Sequence, residues 1–260
     1  MGRCIVITSG KGGVGKSTIT ATLGVAIAEA GAKTALVDAD VGLNNLDLVL
    51  GVESIVGYDV QDVEKGRCRL SEALVNHPFC ENLYLLGSRA LSGGNISQKS
   101  FFGAVNALRR TFDYVLIDCP AGIEDGFHRA VSVADEAIIV TTPVPASVRD
   151  ADKVSDLLAS YRLRHVSVVV NRVRGDLVIK GDVMSVGDVA SVLRLPVIGS
   201  VPEDDEVILS ATVGKISDTK SRHYRAVCMI ASNLMLGTNT LYDCTAKYRG
   251  IVGFFRKIAR

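Results

Sequence analysis

Short runs of aliphatic and β-branched residues alternate with longer stretches of helical period along most of the chain. The run Arg3-Cys4-Ile5-Val6-Ile7-Thr8 is almost continuously apolar, the pattern of a strand buried on both faces. Comparable runs lie at 33–38, 83–86, 114–118, 137–141, 166–171 and 196–201. Helical period marks 16–30, 97–111, 123–134, 147–161, 185–194 and 221–236. In the first of these, Ile19, Leu23, Ala26, Ile27 and Ala30 share one face and Gly31 closes the helix. The alternation predicts an α/β fold, a doubly wound and mostly parallel sheet with helices on both faces. Ligands of such sheets bind beyond the carboxyl ends of the strands. There the chain places Asp38 and Asp40, Asp118, Thr141-Thr142-Pro143 and Asn171-Arg172.

The pattern changes after Gly237. Residues 238–247 show little periodicity and read as a linker. Beyond them Ile251, Phe254, Phe255 and Ile258 recur on one helical face, with Arg249, Arg256, Lys257 and Arg260 on the remainder and no acidic residue. An apolar stripe opposite a purely basic face suits an interfacial helix on an anionic lipid surface. The chain thus divides into a main domain at 1–237, a linker at 238–248 and an amphipathic helix at 249–260. A final helix folded onto the core is the competing reading.

Composition narrows the class. With 260 residues, 48% hydrophobic and 22% charged, the chain is globular with a substantial core. A net charge of +1 gives no whole-molecule attraction for nucleic acid, and no specific nucleic-acid partner is expected. Six scattered cysteines without a C-x-x-C pair point to a reducing compartment and exclude an iron–sulfur scaffold built on paired ligand cysteines. The first strand begins at once, so no targeting peptide is expected and the protein should stay in the cytosol, or in an organelle that makes it.

The strongest chemical signal is Gly10-Lys11-Gly12-Gly13-Val14-Gly15-Lys16-Ser17-Thr18, which fits the phosphate-binding loop G-x-x-x-x-G-K-[ST] between a strand and a helix. Backbone N–H groups of Gly12, Gly13, Val14 and Gly15 are placed to cradle phosphates, Lys16 to reach the β- and γ-phosphates, and Ser17 to ligate Mg²⁺, with Thr18 beside it. Lys11 is one lysine more than the loop needs. A second cation among mobile glycines suits a phosphate on another molecule, which hints at a nucleotide-dependent dimer. Asp118, ending an apolar strand before Cys119-Pro120-Ala121-Gly122, matches a carboxylate that supports Mg²⁺ directly or through water. Of the pair after the second strand, Asp40 is the candidate to orient the attacking water. Asp38 is assigned to Mg²⁺ water ligands or to the loop itself.

With these residues in hand, the chain resembles the deviant Walker A (ParA/MinD) ATPases, and among them the septum-site-determining branch. The matching segments are residues 9–18, 38–47, 118–124, 147–152, 171–173 and 201–204, together with the tail. The resemblance implies that Lys11 contacts phosphate across an ATP-bound homodimer and that Asn171 contacts adenine, with Pro202, Glu203 and Asp204 closing the base pocket. It also implies that Asp152 and its helix adjoin the dimer and partner surface. ATP and Mg²⁺ are the implied cofactors. A MinC-like division inhibitor and a MinE-like regulator are the implied partners, on the inner face of the cell membrane or the stromal side of a plastid membrane. The alternatives within the group are a flagellar-number regulator and a ParA-type partitioning ATPase. Departures from the family pattern fall at Leu86-Gly87-Ser88-Arg89, Gly214-Lys215-Ile216 and the 238–247 linker.

Overall fold

The computed structural model describes residues 1–40, 46–88, 96–207 and 221–249. The tail residues Ile251, Phe254, Phe255, Arg256, Lys257 and Ile258 lie outside the described residues, as does 214–216.

The described strands are β1 (Arg3–Thr8), β2 (Thr34–Asp38), β3 (Leu74–Asn76), β4 (Leu83–Leu86), β5 (Tyr114–Asp118), β6 (Glu136–Thr141), β7 (His165–Val173) and β8 (Val197–Pro202). They form one sheet in the order β3-β4-β2-β5-β1-β6-β7-β8. Every pairing is parallel except β3 with β4 at one edge. Around it run α1 (Lys16–Glu29), α2 (Leu46–Leu50), α3 (Val60–Glu64), α4 (Leu70–Ala73), α5 (Gln98–Leu108), α6 (Asp125–Val131), α7 (Pro145–Leu158), α8 (Gly175–Lys180), α9 (Val186–Leu193) and α10 (Arg222–Leu236).

Successive strand residues face opposite ways, and β1 shows the consequence. Cys4 and Val6 join a core with residues of α5, α6, α7 and α9, whereas Ile5 and Ile7 join another with α1, α2 and α10. Among the described residues the predicted strands and helices are present, with ends shifted by a few residues; the predicted tail helix at 249–260 lies outside them but for Arg249. The sequence pattern did not mark β3, which is short and partly exposed, nor the short helices α2, α3, α4 and α8.

Helix α1 departs from the single apolar stripe read in its sequence. It is buried around most of its circumference, Thr20, Thr22 and Gly24 included, while Ala30 is exposed. Thr20 and Gly24 face the sheet, at Asp118 and Leu36, and α10 covers a further side of α1 that includes Thr22. His223 lies 3.4 Å from the Thr22 hydroxyl, and the Tyr224 hydroxyl bonds Glu29. Thr22 is satisfied by bonding back one turn to the Thr18 carbonyl, and the Thr20 hydroxyl lies within bonding distance of both the Lys16 carbonyl and Asp118.

The segment read as a linker needs correcting. Through residue 249 it is a strap held to the body rather than a free tether. Asn233 donates from Nδ2 to the carbonyls of Ile198 and Thr240 and accepts at Oδ1 from the Thr240 N–H and the Thr238 hydroxyl. Cys244 is buried against the Ser200 hydroxyl of edge strand β8, and Tyr248, in a short 3-10 turn Ala246–Tyr248, is buried too. One clamping side chain and isolated buried residues replace periodicity here, which is why the sequence looked featureless.

Candidate functional site

The phosphate loop leaves β1 at the middle of the sheet, where the carboxyl ends of β2, β5 and β6 lie alongside. Gly13 and Gly15 have φ of 81° and 89°, the left-handed region that only glycine enters without strain. At Gly15 a second demand applies, because a Cβ would sit 2.4 Å from Asn171 Nδ2. Gly10 is fixed by packing instead: a Cβ there would lie 2.3 Å from the backbone of Asp150 in α7. The loop is thereby wedged between the end of β7 and the helix that carries Asp152.

Strand register sets the carboxylates side by side. Asp38 of β2 pairs with Asp118 of β5, and Asp118 also faces Ile7 of β1. Asp118 is buried and receives three side-chain donors. Lys16 Nζ at 2.8 Å and Thr20 Oγ1 at 2.9 Å share Oδ1, and Ser17 Oγ reaches Oδ2 at 2.6 Å. Burial, then the neighbouring charge of Asp118, pushes the Asp38 carboxyl up to about 8. Asp38 also accepts the Asp40 N–H at 2.9 Å, so it shapes the loop as well as flanking the site. Asp40 is half-buried; burial raises its carboxyl too, opposed by the charge of Lys16. Its backbone carbonyl meets the Ser88 hydroxyl at 3.4 Å, so one of the residues departing from the family pattern supports the Asp40 loop.

Even with the Asp38 carboxyl pushed up to about 8, the carboxylates of Asp118 and Asp40 outnumber the one buried lysine, and a site so short of positive charge suits Mg²⁺. Among the described residues no cluster of three or more protein ligands forms a metal cage. Mg²⁺ needs none, since it keeps several waters and takes the rest of its oxygens from one or two side chains and the phosphates. Ser17 and Asp118 are the residues placed to hold it.

Two cavities adjoin the loop. One of about 390 Å³ is lined by the phosphate loop, Lys11, Lys16, Asp40 and Arg172. The other, of about 130 Å³, is lined by Asn171, Pro202, Glu203, Asp204, Val207 and His223. They share Gly15, Thr18 and Arg172, an arrangement that accommodates a phosphate chain in the first and a base in the second. The structure thus brings together every predicted site residue of the main domain. Lys11 is exposed at the mouth, and among the described residues its ammonium makes no ion pair. Asp204 is anchored, accepting from the His223 N–H and pairing with Arg222, so it builds the pocket wall. Cys119 is fully buried and its thiol is pushed up to about 12 by that burial, an inert packing residue as expected.

The CobQ/CobB/MinD/ParA nucleotide binding domain matches residues 5–216. The chain belongs to this family. It falls among the MinD proteins: the septum site-determining protein MinD of Bacillus subtilis is 44% identical over 240 residues, 90% of each chain. The MinC:MinD cell division protein complex of Aquifex aeolicus gives a TM-score of 0.87 at 40% identity, covering 93% of this chain and 98% of that one. MinD of Pyrococcus horikoshii, solved with Mg-ADP, gives 0.80 at 30% identity, covering 90% and 96%. The protein is an ATPase of the division-site-positioning type, with ATP and Mg²⁺ as cofactors.

Sequence reasoning missed His223 and Thr20, and it placed Arg172 at a strand end without giving it a role. Arg172, a non-glycine at φ 54°, lies between the two cavities. His223 closes the base cavity from α10, and Thr20 holds Asp118. His223 is distant in sequence from the rest of the site, and Thr20 is hidden inside a helix.

Proposed function

We propose that the protein is an ATP-driven switch between a free monomer and a membrane-bound homodimer that marks the division site by recruiting a MinC-like inhibitor. The observation that carries this is the division of labour between two lysines of one loop. Lys16 is buried on Asp118, whereas Lys11 is exposed at the mouth of the phosphate cavity. Lys11 serves the phosphates of a second copy. Asn171, with the Pro202-Glu203-Asp204 turn, receives the adenine. Asp40, at the junction of the phosphate cavity and a further one of about 580 Å³ lined by Pro120, Glu124 and Arg129, orients the attacking water.

When bound, Mg²⁺ neutralises charge on the phosphates and draws electron density from the bond that breaks. Lys16 leads the phosphate chain into the loop, and the loop N–H groups hold it. Hydrolysis is slow unless a MinE-like regulator stabilises Asp40 and its loop. Gly122 (φ 91°), whose N–H bonds the Ser9 carbonyl, links the Asp118 loop to the phosphate loop and relays the state of the site.

The tail supplies the membrane contact. Ile251, Phe254, Phe255 and Ile258 gain roughly 1.5–3 kcal/mol each if fully inserted, and basic residues such as Arg256 and Lys257 add about 1 kcal/mol each at an anionic surface. Ordering a short helix offsets much of this. One tail therefore grips weakly, and two joined by ATP gain from effective concentration. Among the described residues no helix is long and apolar enough to cross a membrane.

Sedimentation with anionic liposomes under ATP and ADP tests the reading. The control chain must end after Arg249, because an earlier end would strip Cys244 and Tyr248 from the core. The full chain should pellet with ATP, and the shortened chain and Lys11→Ala should not. Equal pelleting in ATP and ADP would remove the switch.

A further inference from the structure

We infer that Thr20 is a positioning residue for Mg²⁺, acting through Asp118. This rests on the reading of Asp118 as the metal's carboxylate support.

Asp118 has three side-chain donors in the structure, and they are not equivalent. Lys16 and Ser17 both have duties toward the nucleotide, the lysine to phosphate and the serine hydroxyl to the metal. A nucleotide that takes up either group removes it from Asp118. Thr20 has no such duty. It lies one turn further into α1, is fully buried, and lines neither cavity beside the loop. Its Oγ1 is 2.9 Å from Asp118 Oδ1 and 3.0 Å from the Lys16 carbonyl. With one proton to give, the hydroxyl favours the anionic acceptor, the stronger of the two.

Thr20 is therefore the donor that stays with Asp118 through the nucleotide cycle. It fixes one carboxylate oxygen against α1 and so leaves Oδ2, the oxygen now bonded to Ser17, pointing to the metal side. Without that bond Asp118 would be free to rotate and Mg²⁺ would lose an oriented partner, although phosphate binding by the loop would be untouched.

The test is equilibrium binding of ADP by calorimetry, in Mg²⁺ and in EDTA, for the full chain. Thr20→Val keeps the shape and removes the donor. It should lower the factor by which Mg²⁺ tightens ADP binding by about tenfold, the scale of a hydrogen bond to a charged group. Affinity in EDTA should stay within about twofold of the parent, and Thr20→Ser should restore the Mg²⁺ factor. Thr20→Ala, which leaves a small void, serves in its place should the valine variant misfold. A Mg²⁺ factor equal to the parent's would overturn the proposal, as would an equal loss with and without the metal, which would mark Thr20 as merely structural. Asp118→Asn separates the two levels. If it keeps the full Mg²⁺ factor, the reading of Asp118 itself is wrong and the role of Thr20 goes with it. If it abolishes the factor while Thr20→Val preserves it, only the Thr20 proposal fails.

Discussion

Asn171 donates from Nδ2 to the carbonyl of Val14 at 2.8 Å, closing a contact between residues 157 positions apart. One side chain thereby holds the phosphate loop to the end of β7 while lining the smaller of the two cavities.

Asn171→Ala should lower ADP affinity by about tenfold and stability by about 1–3 kcal/mol, because a buried carbonyl loses its donor. Asn171→Asp should be worse, since it sets a carboxylate oxygen against the Val14 carbonyl. Thermal melts and ADP titration of both variants check this, and an aspartate variant that matches the parent would refute it.

Arg172 tells a different story. At φ 54° a non-glycine residue carries about 1–2 kcal/mol of strain. Arg172→Gly relieves it but gives back roughly 0.5–1 kcal/mol in chain entropy. Denaturant unfolding should show stability unchanged or slightly raised while nucleotide affinity falls. A clear loss of stability would mean that the guanidinium belongs to the fold rather than to the site.

His223 sets a pH dependence. Burial depresses its imidazole to about 4, with Asp204 opposing. The unfolded chain, titrating near 6.5, then binds more protons than the folded chain between about pH 6.5 and 4. Stability should be full above 6.5, fall as the pH drops through that window and level off below about 4. His223→Gln should flatten this slope, measured by urea unfolding at stepped pH. An unaltered slope would place the effect elsewhere.

The strap gives the fourth expectation. Asn233→Ala removes the bonds to Ile198, Thr238 and Thr240, costing about 2–3 kcal/mol in all. Cys244, whose thiol burial pushes up to about 11, should then react with a thiol reagent at temperatures where the parent is protected. Mass spectrometry of the labelled cysteine reads the result. Unchanged protection would show that the strap is held without Asn233.

The strands and the long helices were readable because burial on both faces of a parallel sheet leaves near-continuous apolar runs for the strands and a period of 3.6 for the helices. The phosphate loop was readable for a similar reason, since glycine is required by backbone geometry at adjacent positions. Nothing comparable marks β3, which is short and half exposed, nor the strap, whose docking depends on Asn233 rather than on a repeating pattern.

By itself, the sequence determined the fold class, most of the strands and the glycine-rich loop, because each follows from local spacing, and it named the groups proposed to meet phosphate and metal. The tertiary structure alone decided which carboxylates stand together. Asp38 and Asp118 are 80 residues apart and become neighbours only through the β2–β5 register. It also decided that Thr20 looks inward at Asp118, that His223 walls the base cavity and that 238–249 is bound and not free. Those are pairings between distant segments, fixed when separate helices and strands compete for the same buried space, and no local pattern carries them.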